Sequence, residues 1–495
     1  MPYIAHIREA DDNKQTLEEH LLGVAEKSRK NADKLGMGDL GELIGLVHDV
    51  GKYKKIFQFF IMLPDARRDQ DADGASNSLS CVPDQKKNLK GKIDHSTSGA
   101  QIVWRSLREG NPLLVLTAQM LSLSLASHHS GLIDSLAPDG EDNFTRRINK
   151  SDELTGLSEV EGKIPHEISA RMDELFKKIR DENPLSTVVK AMREDEGNTS
   201  GTSDRFAFKM GLLLRMLFSC LIDADRTDTI DFEKTGTSRQ RQHGEYAEWP
   251  ALLKSLEVFI GDFGNDTPIA QWRAKISDYC RTAAERERGI FTLTVPTGGG
   301  KTLASLRFAL RHAEKHKLDR IFYIVPYTSI IDQNAAVARK VLETREDEIG
   351  KIVLECHSNL SSERDSWRGK ILSENWDAPI VFTTSVQFLE ALFADGTRSV
   401  RKMHQFAKSV IIFDEIQTLP VRVVHMFCNA VNFLVERCGA SAVLCTATQP
   451  LLNGVNQELG ALNYSQKDEI VPDVSGVFES FRRTEYVYKH KPGGY

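Results

Sequence analysis

Two groups of residues in this 495-residue chain have the types and spacing to do chemistry. The first is built on His48-Asp49, which ends an apolar run and is followed by Val-Gly-Lys52. An imidazole and a carboxylate side by side can face one cavity, and a carboxylate can bridge two cations. Upstream stands His20; downstream stand His95, the pair His128-His129, and Asp223-Ala-Asp225. Histidine with carboxylate suits Mn²⁺, Fe²⁺, Co²⁺ or Ni²⁺ better than Mg²⁺ or Ca²⁺. Two such cations activate a water and clamp the leaving oxygen of a phosphodiester. A lone histidine is more often a satisfied core or surface residue, and His6, His243 and His312 are read so. His20 taken alone fits either reading, and His357 fits a bland residue or the nucleic-acid surface of a helicase lobe.

The second group begins at Phe291-Thr-Leu-Thr-Val-Pro-Thr-Gly-Gly-Gly-Lys-Thr302. A strand running through a glycine-rich turn into a helix lets backbone amides close around phosphate oxygens, and the helix N-terminus adds partial positive charge. Thr297, Gly298, Gly299 and Gly300 form that turn. Lys301 reaches the β- and γ-phosphates of ATP, and the Thr302 hydroxyl binds Mg²⁺. The strict P-loop spacing is not met, because Val295 stands where its first glycine belongs; Pro-Thr-Gly-Gly-Gly-Lys-Thr is the variant of superfamily-2 helicases. Further on, Val410-Ile-Ile-Phe-Asp-Glu-Ile-Gln417 ends an apolar strand in two acids. Asp414 would hold Mg²⁺ through water and Glu415 would orient or deprotonate the attacking water. Pro326 and Thr328, with Thr384 and Ser385, follow strands and would contact a nucleic-acid backbone. Thr446-Ala-Thr448 matches the motif that couples hydrolysis to a second lobe. Thr-rich strand ends are common, so order and spacing after the P-loop carry these assignments.

The elements that position these residues differ between the halves. To about residue 230, Leu17, His20, Leu21, Val24 and Ala25 recur at helical spacing, as do Leu43, Ile44, Leu46, Val47 and Val50. The stretch 111–126 predicts a buried helix, and 65–95, 136–165 and 192–205 read as loops. The polar stretch 228–248 reads as an interdomain linker. Beyond it, strands at Ile290–Val295, Arg320–Val325, Pro379–Thr383, Ser409–Phe413 and Ala442–Thr446 alternate with helical segments, which predicts a parallel sheet.

Bulk properties narrow the class. A chain of 495 residues with 40% apolar and 27% charged residues is globular and multidomain. No stretch approaches the ~18 apolar residues of a membrane span, and the N-terminus lacks a signal-peptide core. Seven scattered cysteines form no C-x-x-C pair, so a reducing cytoplasm is the expected compartment. The net charge of −6 does not exclude nucleic acid, because attraction depends on local patches. Lys86, Lys87, Lys90 and Lys92 form one such patch and Lys52, Lys54 and Lys55 another, each read first as a solvated face.

Together these residues resemble the CRISPR-associated helicase–nucleases of type I interference systems, which RNA-guided Cascade complexes recruit. Val-His-Asp-Val-Gly-Lys, Asp-Glu-Ile-Gln, Thr-Ala-Thr-Gln-Pro and the short stretch before His20 are most similar to subtype I-C members. The resemblance covers nearly the whole chain. It implies an ATP-dependent 3′-to-5′ translocase feeding single-stranded DNA into a two-metal HD nuclease. The implied ligands are His20, His48, Asp49, His95, His128, His129 and one acid of Asp223-Ala-Asp225, with Asp225 preferred because the family's last ligand commonly follows Ala. Lys52 matches a position that contacts the scissile phosphate.

The expected architecture is therefore an all-α HD-type nuclease domain over 1–230, a linker over 231–265, and an α/β RecA-like helicase lobe with a parallel sheet over 266–480. Residues 481–495 would start a connection to a second lobe. Family members carry that lobe, whose arginines reach the γ-phosphate, and this chain ends at Tyr495 without it. Weak ATP hydrolysis and no unwinding are expected of this polypeptide alone, with a missing segment or a separate chain completing the motor. Cleavage should be sequence-tolerant, the guide-bearing partner choosing the target. Two other readings are an HD phosphohydrolase acting on nucleotides and a non-catalytic docking module; the helicase motifs oppose the first and the complete ligand set opposes the second.

Overall fold

The computed structural model describes residues 2–63, 93–195, 203–236, 238–242, 244–345, 348–356 and 367–482. The chain divides into two compact units, Met1–Arg241 with Leu389–Ala407, and Gln242–Phe388 with Lys408–Tyr495. None of the described helices is long and apolar enough to cross a membrane.

The first unit is helical except for a hairpin, in which β1 (Ile4–Ile7) pairs antiparallel with β2 (Lys14–Thr16). The expected all-α domain thus carries a small sheet; strands of four and three residues are too short to show a period of two. Helix α1 (Leu17–Asp33) starts directly from β2, where Thr16 and Glu19 form a capping box. Its buried stripe of Leu17, His20, Leu21, Val24 and Ala25 faces α2 (Gly38–Val47). The two backbones meet closely, since a Cβ on Gly45 would lie 2.5 Å from Ala25 Cα. That approach sets His20 on α1 beside His48, the residue that ends α2. Helices α3 (Thr97–Leu107), α4 (Pro112–Ser127) and the 30-residue α5 (Asp204–Glu233) add to the core of this unit.

Short helices at Asn143–Ile148, Asp152–Thr155 and Leu157–Glu161 occupy a stretch expected as loop. Each buries only one or two side chains, Phe144 and Ile148 in the first, too few to show a helical period. Residues 389–407, which the helicase lobe was expected to keep, group with this unit. Arg401 explains the attachment: its Nε donates to Asp223 Oδ1 at 2.8 Å and its Nη2 to Thr227 Oγ1 at 3.0 Å. The His404 amide adds a 3.0 Å bond to Ser219 Oγ.

The boundary expected at 230 falls inside α5, which runs on to Glu233. The expected linker 231–265 contains a helix at Trp249–Gly261 whose Leu252, Leu253 and Leu256 join the core of the second unit. Its polar neighbours mask an apolar spacing that only packing discloses. Residues 483–495, expected to begin a connection, lie outside the described residues.

The second unit is built on a six-stranded sheet of order β3-β8-β7-β4-β6-β5, parallel throughout. The strands are β3 (Ile290–Thr294), β4 (Arg320–Val325), β5 (Val353–Cys356), β6 (Ile380–Thr384), β7 (Ser409–Asp414) and β8 (Ser441–Thr446). The sequence pattern finds five of them and misses β5, a four-residue edge strand interrupted by Glu355, which pairs with Arg339. β3, β4, β6, β7 and β8 are almost wholly buried, as parallel strands under helices must be. Helices α6 (Lys301–His316) and α7 (Thr328–Leu342) follow β3 and β4.

Candidate metal centre and ATP site

The first unit gathers the histidines and acids into two groups that share Asp49. His20, His48, Asp49 and Asp225 offer ligand atoms within 4.8 Å of one another, and so do Asp49, His95 and His129. Five elements deliver them: α1, the end of α2, the turn before α3, the end of α4, and α5. His128 and His129 follow α4, the His128 Nε2 standing 3.4 Å from Asp49 Oδ1. The turn after His48-Asp49 must be glycine, because a Cβ on Gly51 would lie 2.1 Å from the His95 carbonyl oxygen. That contact brings His95 to the centre from far along the chain.

The histidines are held with one nitrogen engaged and the other free to point inward. Nδ1 of His48 lies 2.8 Å from the Gly45 carbonyl, Nδ1 of His128 2.7 Å from that of Leu125, and Nδ1 of His95 3.0 Å from that of Ile93. A carbonyl only accepts, so each Nδ1 carries a proton, and in the neutral ring Nε2 presents a lone pair. The Nε2 atoms converge: His48 Nε2 is 3.2 Å from His20 Nε2, and His95 Nε2 is 2.6 Å from His129 Nε2. Asp49 Oδ1 and His128 Nε2 are buried without a hydrogen bond. Convergent lone pairs and orphaned buried acceptors cost energy unless a cation sits among them. This donor set fits divalent transition metals.

Electrostatics divides the histidines. Burial holds His95 down to about 4 and His129 to about 3, which keeps both neutral. Burial also works against a charge on His20 and His48, but Asp225, Asp228 and Asp49 raise His20 to about 9, and Asp49 and Asp225 raise His48 to about 10. Asp49 is wholly buried, yet Lys52 and His48 hold its carboxyl well below the usual range. A cation would take the place of the protons on His20 and His48.

The two candidates for the last acid separate. Asp225 Oδ1 lies 3.5 Å from His20 Nε2 and 3.6 Å from His48 Nε2, whereas Asp223 faces Arg401 and His404. Lys52, whose Nζ is 2.7 Å from Asp49 Oδ2, stands at the centre. Two lysines of the Lys52, Lys54 and Lys55 patch are not solvated: Lys52 and Lys54 are 5% and 4% exposed, each turned inward to an acceptor, while Lys55 is exposed. Lys86, Lys87, Lys90, Lys92, His243 and His357 lie outside the described residues. His312 is a core histidine, bonded to the Ala284 carbonyl and to Ser441 Oγ. His6 packs edge-on to His20 at 4.8 Å between ring centroids. No spacing in the sequence points to His6, or to Gln15, Lys27 and Asp228, which meet beside His20.

In the second unit the carboxyl edge of the sheet collects the other motif residues. Gly298 and Gly300 take φ of 85° and 84°, the left-handed region that favours glycine, and a Cβ on Gly299 would lie 2.4 Å from Val295 Cγ1. Arg273, unremarked in the sequence, donates from Nε to the Gly298 carbonyl at 2.8 Å. Lys301 pairs with Glu415, and Gln417 Nε2 donates to the second oxygen of Glu415 at 2.6 Å. Gln417 also accepts from Thr446 Oγ1, which in turn accepts from the Thr448 amide at 3.0 Å. One chain of bonds thus runs from Lys301 to Thr448. Thr302 Oγ1 donates to Asn334 Oδ1 at 3.1 Å, and Asn334 Nδ2 to Asp414 Oδ2 at 3.4 Å. Burial raises the Asp414 carboxyl against the pull of Lys301, while Lys301 and Gln417 outweigh burial at Glu415 and lower it.

The expected nucleic-acid contacts lie on the same edge. Ser385 Oγ donates to the Val325 carbonyl at 3.3 Å, tying the end of β6 to the end of β4. Thr384 is buried, its hydroxyl accepting from the Gln387 amide, while Pro326 and Thr328 are partly exposed where β4 passes into α7.

Residues 277–454 match the DEAD/DEAH box helicase family, which covers the sheet, the P-loop and Asp414-Glu415. This part of the chain is a helicase domain, of a class that binds ATP with Mg²⁺. No curated protein matches. The fold is similar to that of T. fusca Cas3, at 14% identity and a TM-score of 0.53, over 92% of this chain and 51% of that one. T. fusca Cas3-ATP gives 16% identity and a TM-score of 0.52, over 99% and 53%. A crystal structure of a CRISPR-associated protein gives 14% and 0.53, over 100% and 55%. The chain therefore shares the Cas3 fold and spans about half the length of these structures.

Proposed function

We propose that this chain is the nuclease and first motor lobe of a CRISPR-associated helicase–nuclease that degrades single-stranded DNA. The observation that carries this reading is Asp49, one carboxylate shared by two groups of converging ligand atoms. His20, His48, Asp49 and Asp225 would hold one divalent transition metal, and Asp49, His95, His128 and His129 the other. When bound, the metals supply an activated water and a clamp for the leaving oxygen of the phosphodiester. Asp49 would orient both metal positions at once, and Lys52 would leave Asp49 for the scissile phosphate.

The helicase lobe would draw the strand 3′-to-5′ into this centre. Thr297 through Thr302 would cradle ATP, with Asp414 positioning Mg²⁺ and Glu415 the attacking water, once nucleotide phosphate takes Lys301 from Glu415. Thr446 and Thr448 would pass the change to a second lobe. Pro326, Thr328, Thr384 and Ser385 would line the backbone path, so cleavage would be sequence-tolerant. The partner that selects the target would be an RNA-guided Cascade-type complex, of subtype I-C by the motifs quoted. Among the described residues six cysteines are buried and unbridged, which accords with work in the cytoplasm.

The test is degradation of circular single-stranded DNA with Mn²⁺, Co²⁺ or Ni²⁺, without ATP, against EDTA and a His48→Ala/Asp49→Ala variant. Metal-dependent cleavage that the double variant loses supports the reading. Metal bound without cleavage sinks it in favour of nucleotide hydrolysis or docking.

A further inference from the structure

Asp228 lies three residues beyond Asp225 on α5, and it is 8% exposed. Its Oδ2 accepts from His20 Nδ1 at 2.9 Å and from Gln15 Nε2 at 2.9 Å, while its Oδ1 accepts from Lys27 Nζ at 2.7 Å. The backbone of α1 is cut away to admit it: a Cβ on Gly23 would lie 2.4 Å from Asp228 Oδ1. Gln15, His20, Gly23 and Lys27 thus make a fitted socket for one carboxylate.

An apolar pair would join α1 to α5 without desolvating a charge, so stability alone does not explain the arrangement. Its distinctive effect is on His20. A carboxylate on Nδ1 keeps the proton there and turns the Nε2 lone pair toward His48 Nε2 at 3.2 Å, with Asp49 Oδ2 and Asp225 Oδ1 each at 3.5 Å. Carboxylate–histidine pairs of this kind fix both tautomer and ring plane of a metal ligand.

We propose that Asp228, seated by Gln15 and Lys27, is a positioning residue that orients His20 toward the metal centre. The proposal rests on reading that centre as a cation site, and it assigns Asp228 to neither cation.

The experiment titrates the full chain with Co²⁺ against a chelating dye, follows the Co²⁺ absorption bands, and reads histidine tautomers by long-range ¹H–¹⁵N NMR. Asp228→Ala should weaken Co²⁺ binding by about 10- to 100-fold with an altered band envelope. Asp228→Asn, which still accepts from Nδ1, should recover most of the affinity. Lys27→Met, which leaves the acceptor in place, should change affinity less than Asp228→Ala does. Binding within about two-fold of the parent in folded Asp228→Ala would overturn the proposal. Should that variant not fold, the parent decides, read with diamagnetic Zn²⁺ bound so that His20 keeps a single proton: metal on Nε2 with the proton on Nδ1 upholds the role, and metal on Nδ1 overturns it. A parent chain that binds no Co²⁺ defeats the cation-site reading itself, a result separate from any failure of Asp228.

Discussion

Asp223 and Asp225 stand two residues apart on one helix and serve different partners. Asp225 Oδ1 lies 3.5 Å from His20 Nε2, while Asp223 Oδ1 accepts from Arg401 Nε at 2.8 Å. A helix turns about 100° per residue, so alternate positions point well apart. Asp225→Ala should lower metal-dependent DNA cleavage by about 100-fold or more, with little change in Tm. Asp223→Ala should instead strand a buried guanidinium and cost about 3–5 kcal/mol of stability. Paired cleavage and thermal-melting measurements would separate them, and a reversed pattern would exchange the two assignments.

The same ion pair gives a pH signature. Arg401 and His404 hold the buried Asp223 carboxyl below its ordinary range, against burial. A depressed folded value means stability that is present above the unfolded value of about 3.9 and lost as pH falls toward the folded one. Acid unfolding of Asp223→Asn should therefore show a smaller loss of stability below pH ~4 than the parent. Identical slopes would show that the pair adds nothing there.

Metal affinity should rise with pH. His20 and His48 are held at about 9 and about 10, so near neutrality a cation must displace their protons. Below those values each displaced proton makes the apparent affinity grow about tenfold per pH unit. Co²⁺ titrations at pH 6, 7 and 8 should tighten steadily and release protons into weak buffer. A flat profile would mean the imidazoles are already neutral.

At the ATP site, Lys301→Ala should abolish nucleotide binding and free Glu415. Glu415→Gln should keep binding but lose hydrolysis by about two orders of magnitude or more. Neither should alter ATP-independent cleavage of single strands. Fluorescent-nucleotide binding with phosphate release would check the first pair of outcomes, and a fall in cleavage would contradict the separation of functions.

Helix contact can be tested apart from chemistry. Gly45→Ala places a methyl 2.5 Å from Ala25 Cα, so α1 and α2 must part. Overpacking of this kind costs about 1–3 kcal/mol, and here it should also weaken Co²⁺ binding by moving His20 from His48. Gly211→Ala, with nothing within 4 Å on α5, should stabilise by about 0.5–1 kcal/mol and leave binding alone. Equal behaviour of the two would refute the close-contact argument.

Motif chemistry and local periodicity were legible in the sequence. His48-Asp49, the P-loop and Asp414-Glu415 announce themselves because neighbours along the chain must cooperate, and backbone geometry alone then sets their placing. Five strands show as apolar runs because a parallel sheet buries both faces of each. The edge strand at Val353–Cys356 and the hairpin at Ile4–Ile7 escaped, since neither is long enough to display a period.

What the sequence determined by itself is which residue types stand at motif spacing, and that a helical half precedes an α/β one. What only the tertiary structure decided is which groups meet. Asp228 reaches His20 across 208 residues of chain, and Arg401 reaches Asp223 across 178. Asn334 joins Thr302 to Asp414 without belonging to any pattern. Such pairings follow from helix packing and burial, where a charge must find a partner wherever the fold brings one. Linear spacing records only contacts that lie within a turn or two of each other.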